Sequence, residues 1–465
     1  MLLMQYKYAL PNACLYFVNI IGVKFYENVN DSLGGFRMKI SKFIISLVFL
    51  TTLTTSSHAG SPESFAEVGF ILNTFLFLVA AFLVMFMAAG FCMLESGLVT
   101  SKSVAVICAK NIGLFSIAGI MFWLFGYNVA YGIPEGGFIG SFTPWSDASA
   151  LETGYSGGSD WLFQMVFCAT AASIVSGTMA ERVRLWPFFL FTAILTGIIY
   201  PIQMGWQWGG GWLAVKGFSD FAGSTLVHSC GGAAALAGAI VLGPRLGRFK
   251  NGDVKPMKPF AASSIPLATL GVFILWLGWF GFNGGSQLAL GTLDDSISVS
   301  TIFLNTNLAA CGGVMVAAFI TRFVYGRTDV IQMLNGAIAG LVAITAGPDT
   351  PLPYEAILIG GVGGVIVVYG TQLLNKFKID DVVGAIPAHL FAGIWGTLAV
   401  PLTNSDVTFS SQLLGIISIN VFVFAASFIV WIIMKQTIGI RLSAKAERLG
   451  TDVSEVGVVA YAIRD

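Results

Sequence analysis

The sequence predicts an all-α integral membrane protein of about eleven transmembrane helices, built as two inverted five-helix repeats plus a final helix. Three observations carry this. Hydrophobic residues make up 56% of the chain and charged residues only 10%, where soluble domains carry about 25%. A water-facing surface cannot be built from so few charges. Apolar runs of spanning length recur along the chain. A thirteen-residue motif then appears twice, five helices apart. Glycine, at 55 of 465 residues, suits helices whose backbones approach through small side chains.

The elements follow in order. Residues 38–59 carry Lys39 and Lys42, a short apolar stretch from Phe43 to Leu53, and Ser57-His58-Ala59 as a small-x-small cleavage site. This is a signal-peptide pattern, too short to span a bilayer. A signal peptide starts at its initiator methionine, so Met38 is the expected start and residues 1–37 an over-extended reading frame. The membrane domain is expected over 60–435. Its helices are placed near 66–92, 103–127, 160–180, 186–205, 219–243, 262–283, 299–325, 330–347, 354–374, 381–402 and 412–435. A cytoplasmic tail follows over 436–465.

Basic residues test this map independently. Lys102, Arg182, Arg184, Arg245, Arg248, Lys250, Lys255, Lys258, Arg322, Arg327, Lys376 and Lys378 fall in one set of connections, and Lys216 stands alone in the other. By the positive-inside rule the basic set is cytoplasmic. That gives an outside amino terminus after signal cleavage, a cytoplasmic carboxyl terminus and a place in the bacterial inner membrane. Net charge is zero with no basic block, which argues against nucleic acid as a partner. The six cysteines contain no CxxC pair and read as small buried apolar residues.

The repeated motif is D-x-x-G-x-x-x-x-H-x-x-x-G. It runs from Asp220 through Gly223 and His228 to Gly232, and from Asp381 through Gly384 and His389 to Gly393. Five is odd, so two five-helix halves have opposite orientations, and inverted repeats place substrate sites at their interface near the midplane. Of three histidines, His58 lies in the signal peptide. His228 and His389 lie inside helices, where an ionisable residue is a functional hypothesis. No Cys, Asp or Glu cluster completes a metal site around them, and no cofactor is expected. Two neutral imidazoles can share one hydrogen bond and still offer a polar edge to a small neutral molecule. Ammonia, both donor and acceptor, is such a molecule.

Several segments in this order resemble the ammonium transporter family (Amt/Mep/Rh), on its Amt branch, over roughly residues 65–462. They are Gly97-Leu-Val-Thr-Ser-Lys-Ser103, Phe163-Gln-Met-Val-Phe167, Ala180-Glu-Arg-Val-Arg184, Trp208-Gly-Gly-Gly211, Asp220 through His228, Gly278-Trp-Phe-Gly-Phe-Asn-Gly-Gly-Ser286, and Asp380-Asp381 through His389 to Gly396. The resemblance implies a homotrimer with one pore in each subunit and ammonium or ammonia as substrate. It implies an outer recruitment site at Phe167, Trp208 and Ser286, with the Asp220 carboxylate near it. It implies stacked rings Phe163 and Phe282 closing the pore, His228 and His389 as the paired histidines, and Thr345 as a pore-lining threonine. Read by itself, Asp220 sits at a helix start and suits a cap on the helix amides. Ser286 could equally bond to its own helix backbone. Leu390 stands where many relatives have glycine, and Ala346-Gly347 follow Thr345 where many have proline. The tail from Gly450 to Tyr461 resembles the family's cytoplasmic tail, which can meet PII signalling proteins, with Val456 where histidine is frequent.

The expected function is transport of ammonium or ammonia: recruitment outside, deprotonation, and passage of ammonia between the histidines. The alternatives are an ammonium sensor acting through a partner protein and an Rh-like gas channel. A sodium-coupled carrier lacks a recognisable cation cage, and no nucleophile–base arrangement suggests an enzyme. Glu95 and Lys110 are placed outside the site.

Overall fold

The computed structural model describes residues 64–250, 253–254 and 260–461, so the expected signal peptide and start lie outside the described residues. Among these, ten helices are long and apolar enough to cross a membrane. They are α1 (Phe65–Leu98), α2 (Ser101–Tyr131), α3 (Gly157–Thr178), α4 (Leu185–Gly205), α5 (Ser224–Leu242), α6 (Ile265–Gly285), α7 (Leu293–Val324), α9 (Pro353–Lys376), α10 (Ile386–Thr403) and α11 (Phe409–Thr437). Between α7 and α9 lies α8 (Val330–Ile344), an apolar helix of 15 residues, short of the ~20 that a full crossing takes. Eleven helices therefore stand in the expected order. A two-residue antiparallel hairpin pairs Phe249–Lys250 with Asp253–Val254 in the loop between α5 and α6.

Polar side chains at helix starts satisfy amides that lipid could not. Ser64, Ser264 and Thr408 each accept a backbone hydrogen bond one turn on. Thr292 and Asp295 form a reciprocal box at the start of α7. Two predicted starts shift. Residues 219 and 381 were expected to be helical, but α5 begins at Ser224 and α10 at Ile386. The physical reason is shared: Gly223 and Gly384 adopt φ of 106° and 82°, open to glycine at little cost, and the preceding Asp caps the helix from outside it.

Helices α3 and α5 are 89% buried over their apolar windows, against 28% for α11, so α3 and α5 form the centre. Helices α1 and α6, first in each half, cross in close contact. A Cβ on Gly271 would lie 2.3 Å from the Leu94 backbone nitrogen. The motif glycines do the same where α5 meets α10: a Cβ at Gly393 would lie 2.3 Å from the Ser224 carbonyl oxygen, and one at Gly232 would lie 2.6 Å from the Leu390 nitrogen. Gly393→Ala is therefore expected to cost about 1–3 kcal/mol of overpacking strain. Thermal unfolding in detergent checks this, and an unchanged melting temperature would contradict it.

The basic residues that set the predicted orientation are not all free surface charges. Arg182 is fully buried and Arg245 nearly so. Arg245 holds Asp380 (2.8 Å) and Glu181 (2.5 Å), while Arg182 donates to the Asp380 carbonyl at 2.6 Å. The tail, with its short helix α12 (Ala444–Leu449), folds against this cluster. Asp452 accepts from the Val104 and Val106 amides at the start of α2, Glu455 from Leu185 at the start of α4, and Glu447 from Leu246.

Candidate functional site

The two motif copies fold alike. Asp220 accepts hydrogen bonds from the amides of Gly223, Ser224, Thr225 and Leu226, at 2.7–3.0 Å. Asp381 accepts from Gly384 and Ile386 amides (3.1 and 2.7 Å) and from the Thr178 hydroxyl (3.0 Å). Each capped start opens into a π-helical turn, Ser224–Ser229 and Ile386–Phe391. Such turns frequently mark functional sites, and here each carries its histidine. His228 and His389 are both buried, and their Nδ1 atoms lie 3.3 Å apart, so one ring donates and the other accepts. His228 stacks on Trp279 at 4.8 Å and touches Phe282 at 5.1 Å. Its Nε2 is buried and has no partner among the described residues. A buried polar atom left unpaired is costly and leaves a free position for a passing small molecule.

On the far side of Phe282 from the histidine pair lies an open cavity of about 290 Å³, lined by Phe163, Phe167, Trp208, Ser286 and Asp160 among others. Phe167 stands edge-on to Trp208, with centroids 6.0 Å apart. The Trp208 indole N–H donates to the Asp220 carbonyl at 2.9 Å, which fixes the ring. The Ser286 hydroxyl donates to its own helix at the Phe282 carbonyl, 2.9 Å away. That leaves its oxygen lone pairs free to accept from a cation that can donate.

The structure sets where the predicted site residues fall relative to this cavity, called the vestibule below. The ring stacked on Phe282 is Phe167, at 3.9 Å and 27°, not Phe163. Phe163 is one turn earlier on α3, lines the vestibule and stacks on Phe77 at 5.4 Å. The Asp220 carboxylate is fully buried and taken up by four amides, the cap that its helix-start position suggests, rather than opening onto the vestibule, while its backbone carbonyl holds Trp208. Thr345 is fully buried, accepts from the Trp279 indole N–H at 2.9 Å and donates to the Leu341 carbonyl at 2.7 Å, and the Trp279 ring it holds is the one stacked on His228. The carboxylate that does reach the vestibule is Asp160, which accepts from the Tyr127 hydroxyl and from Gln164 Nε2. The sequence signal was available, an acidic residue one turn before Phe163-Gln164, but it reads equally as a helix-start charge.

Comparisons with known proteins bear on the family and the fold. The family model described as Ammonium Transporter Family matches residues 75–461. The chain is 38% identical over 454 residues to ammonium transporter Amt2 of Archaeoglobus fulgidus, covering 90% of this chain and 94% of the relative. Among solved structures it resembles a Sensor Amt Protein, with a TM-score of 0.79 and 33% identity over 84% of this chain and 99% of the other. It also resembles Candida albicans Mep2, with a TM-score of 0.74 and 26% identity over 82% and 88% of the two chains.

Proposed function

The chain belongs to the ammonium transporter family, and on that premise we propose how its site moves ammonium or ammonia across the membrane it spans. Ammonium enters the vestibule and is held over Phe167 and Trp208, each ring offering about 0.5–2 kcal/mol of cation–π attraction. Ser286 accepts one of its hydrogen bonds. Potassium can use the rings but has no hydrogen to donate, so the hydroxyl discriminates. A bare cation in the apolar path beyond is very costly. The ion gives up its proton at or below the vestibule, the Phe167–Phe282 stack swings aside, and ammonia passes His228 and His389. The observation that carries this reading is the histidine pair, 3.3 Å apart at Nδ1, beneath stacked rings and with an unpartnered Nε2.

The finer assignments rest on the same premise. The subunit acts within a homotrimer, each copy with its own pore; large apolar side chains exposed on several helices, such as Met315, Phe319 and Leu358, suit lipid or neighbouring subunits. Basic connections put the tail in the cytoplasm and the vestibule outside the inner membrane. A PII signalling protein would meet the tail, which is folded over the inner helix ends.

Asp160 joins the recruitment site. Its charge adds about 1 kcal/mol of screened attraction for a nearby cation, so Asp160→Asn is expected to raise KM for ammonium roughly fivefold with little change in kcat. Concentration-dependent flux in proteoliposomes checks this; an unchanged KM removes Asp160 from the site. The likeness to a sensor gives the second reading a definite footing, and one experiment separates the two. Expressed in cells that lack ammonium uptake, the chain is expected to restore growth at low ammonium and low pH. Inserted protein without growth would favour sensing.

A further inference from the structure

Glu95 and Lys110 are charged, and only 1% and 2% exposed, inside α1 and α2. The transport path described above uses neither. Burying such groups is expensive, and intramembrane ionisable residues mark functional paths. Their position follows from α1. Along that helix Phe77 meets Phe163 at the vestibule, Phe91 faces His389 with centroids 6.2 Å apart, and Glu95 comes one turn later. Glu95 thus lies beyond the histidines, on the side away from the vestibule. There it lines a cavity of about 10 Å³ together with His389, Phe91 and Asn335, close to the room one water needs.

The pair is not a tight clamp. Lys110 Nζ stands 3.9 Å from Glu95 Oε2 and donates instead to the Ser176 carbonyl at 2.7 Å, over the Phe188 ring at 5.0 Å. Glu95 Oε2 accepts from the Ser176 hydroxyl at 2.7 Å, while Oε1 has only a long 3.5 Å contact from Asn111. One carboxylate oxygen therefore remains open, next to a water-sized space that touches a histidine.

We propose that Glu95, with Lys110 as its counter-charge, receives the proton that leaves the histidine pair on the inner side; this rests on the transport reading above. The N–H bond of ammonium breaks near the vestibule, giving ammonia and a proton held on an imidazole nitrogen. An N–H bond of His389 then breaks as an O–H bond forms on the cavity water, which passes one of its own protons to Glu95. The carboxylic acid so formed loses that proton to water on the inner side and returns to carboxylate. No electrons change hands. Ammonia and the proton cross in the same cycle, so each ammonium carries one positive charge through.

The test compares the parent with E95Q and E95D in proteoliposomes, recording current and luminal pH after an ammonium jump. Glutamine keeps the shape and hydrogen bonds but cannot take the proton. Current in E95Q is expected to fall about a hundredfold, the lower end of what a positioned acid–base group supplies. Ammonia still passes in E95Q without its proton, so luminal alkalinisation is expected to exceed the parent's, and E95D retains most of the current. An E95Q current matching the parent overturns the proposal, as does equal loss of assembly in both variants, which would mark a structural pair. A parent that alkalinises the lumen without current overturns it too, while leaving ammonia conduction intact. A parent with neither response sinks the transport reading itself. Should E95Q alone fail to assemble, the parent in deuterated water decides: a slower current supports the relay, and an equal one overturns it.

Discussion

Replacing both His228 and His389 by alanine is expected to turn an ammonium-selective path into one that also carries potassium. In the parent, the two rings fill the space between the π-helical turns and share one hydrogen bond across 3.3 Å. Trp279 backs His228, and Thr345 holds Trp279. Nothing there can replace the hydration shell of a metal cation, so an ion that cannot shed a proton is stopped. Two alanines remove both rings and leave room for a continuous file of water. The barrier to a hydrated cation then falls by at least about 3 kcal/mol, the low end of the cost of a charge at the bilayer centre, or roughly a hundredfold in rate. Potassium-driven current on solid-supported membranes reads this directly. A variant that still rejects potassium while passing ammonium would place the filter elsewhere, at the Phe167–Phe282 stack or in the vestibule.

The largest loss of stability is expected from Arg245→Ala. Arg245 holds Asp380 through Nε and Nη2 and Glu181 through Nη1, and Arg248 adds a 3.2 Å contact to Asp380. Removing one partner of a buried pair costs about 3–5 kcal/mol, because the other charge stays buried. The damage would reach the site, since Asp381, next in sequence, caps the start of α10 and thereby aims His389. The cluster also predicts a pH response. Burial pushes the Asp380 carboxyl up, but the charges of Arg245 and Arg182 and the Arg245 hydrogen bonds outweigh it, and the group is held well below the usual carboxylate range. Glu181 is lowered likewise, burial being overcome by Arg245 and Thr100. Groups depressed in the fold contribute stability that is fully present above about pH 4–5 and lost as pH falls toward their folded values. The melting temperature of the parent is therefore expected to drop as pH falls from about 5 toward 3, and to drop less in Arg245→Ala. Parallel slopes for the two proteins would contradict the assignment.

Much of this architecture was legible because two physical constraints write themselves into the chain. Lipid demands apolar runs of fixed length, so helix number and order follow from hydropathy. The internal repeat preserves D-x-x-G and the histidine at equal spacing, so His228 and His389 stand out as a pair before any coordinates. What stayed hidden depends on rotation and depth. Phe163 and Phe167 lie one turn apart on the same face of α3, and spacing alone does not say which ring meets Phe282. Asp160 and Asp220 each stand near a helix start, and only the fold shows that one is spent on four amides while the other opens to the vestibule. Glu95 and Lys110 lie on different helices, at positions where a snorkelling side chain reads just as well. Their juxtaposition beneath His389 is set by how α1 and α2 pack. The sequence places Arg245 among the basic connections but does not show its burial against Asp380 and Glu181, because a count of basic residues leaves out their partners.

The most direct test of the central claim, that this chain carries ammonium's nitrogen as ammonia past the histidine pair, uses the purified parent protein in sealed liposomes. Equal jumps of ammonium and of potassium are applied while luminal pH and current are recorded together. The expected result is a protein-dependent response to ammonium, as current or as luminal pH, and none to potassium. Responses no larger than in protein-free liposomes, or equal responses to both ions, would contradict it.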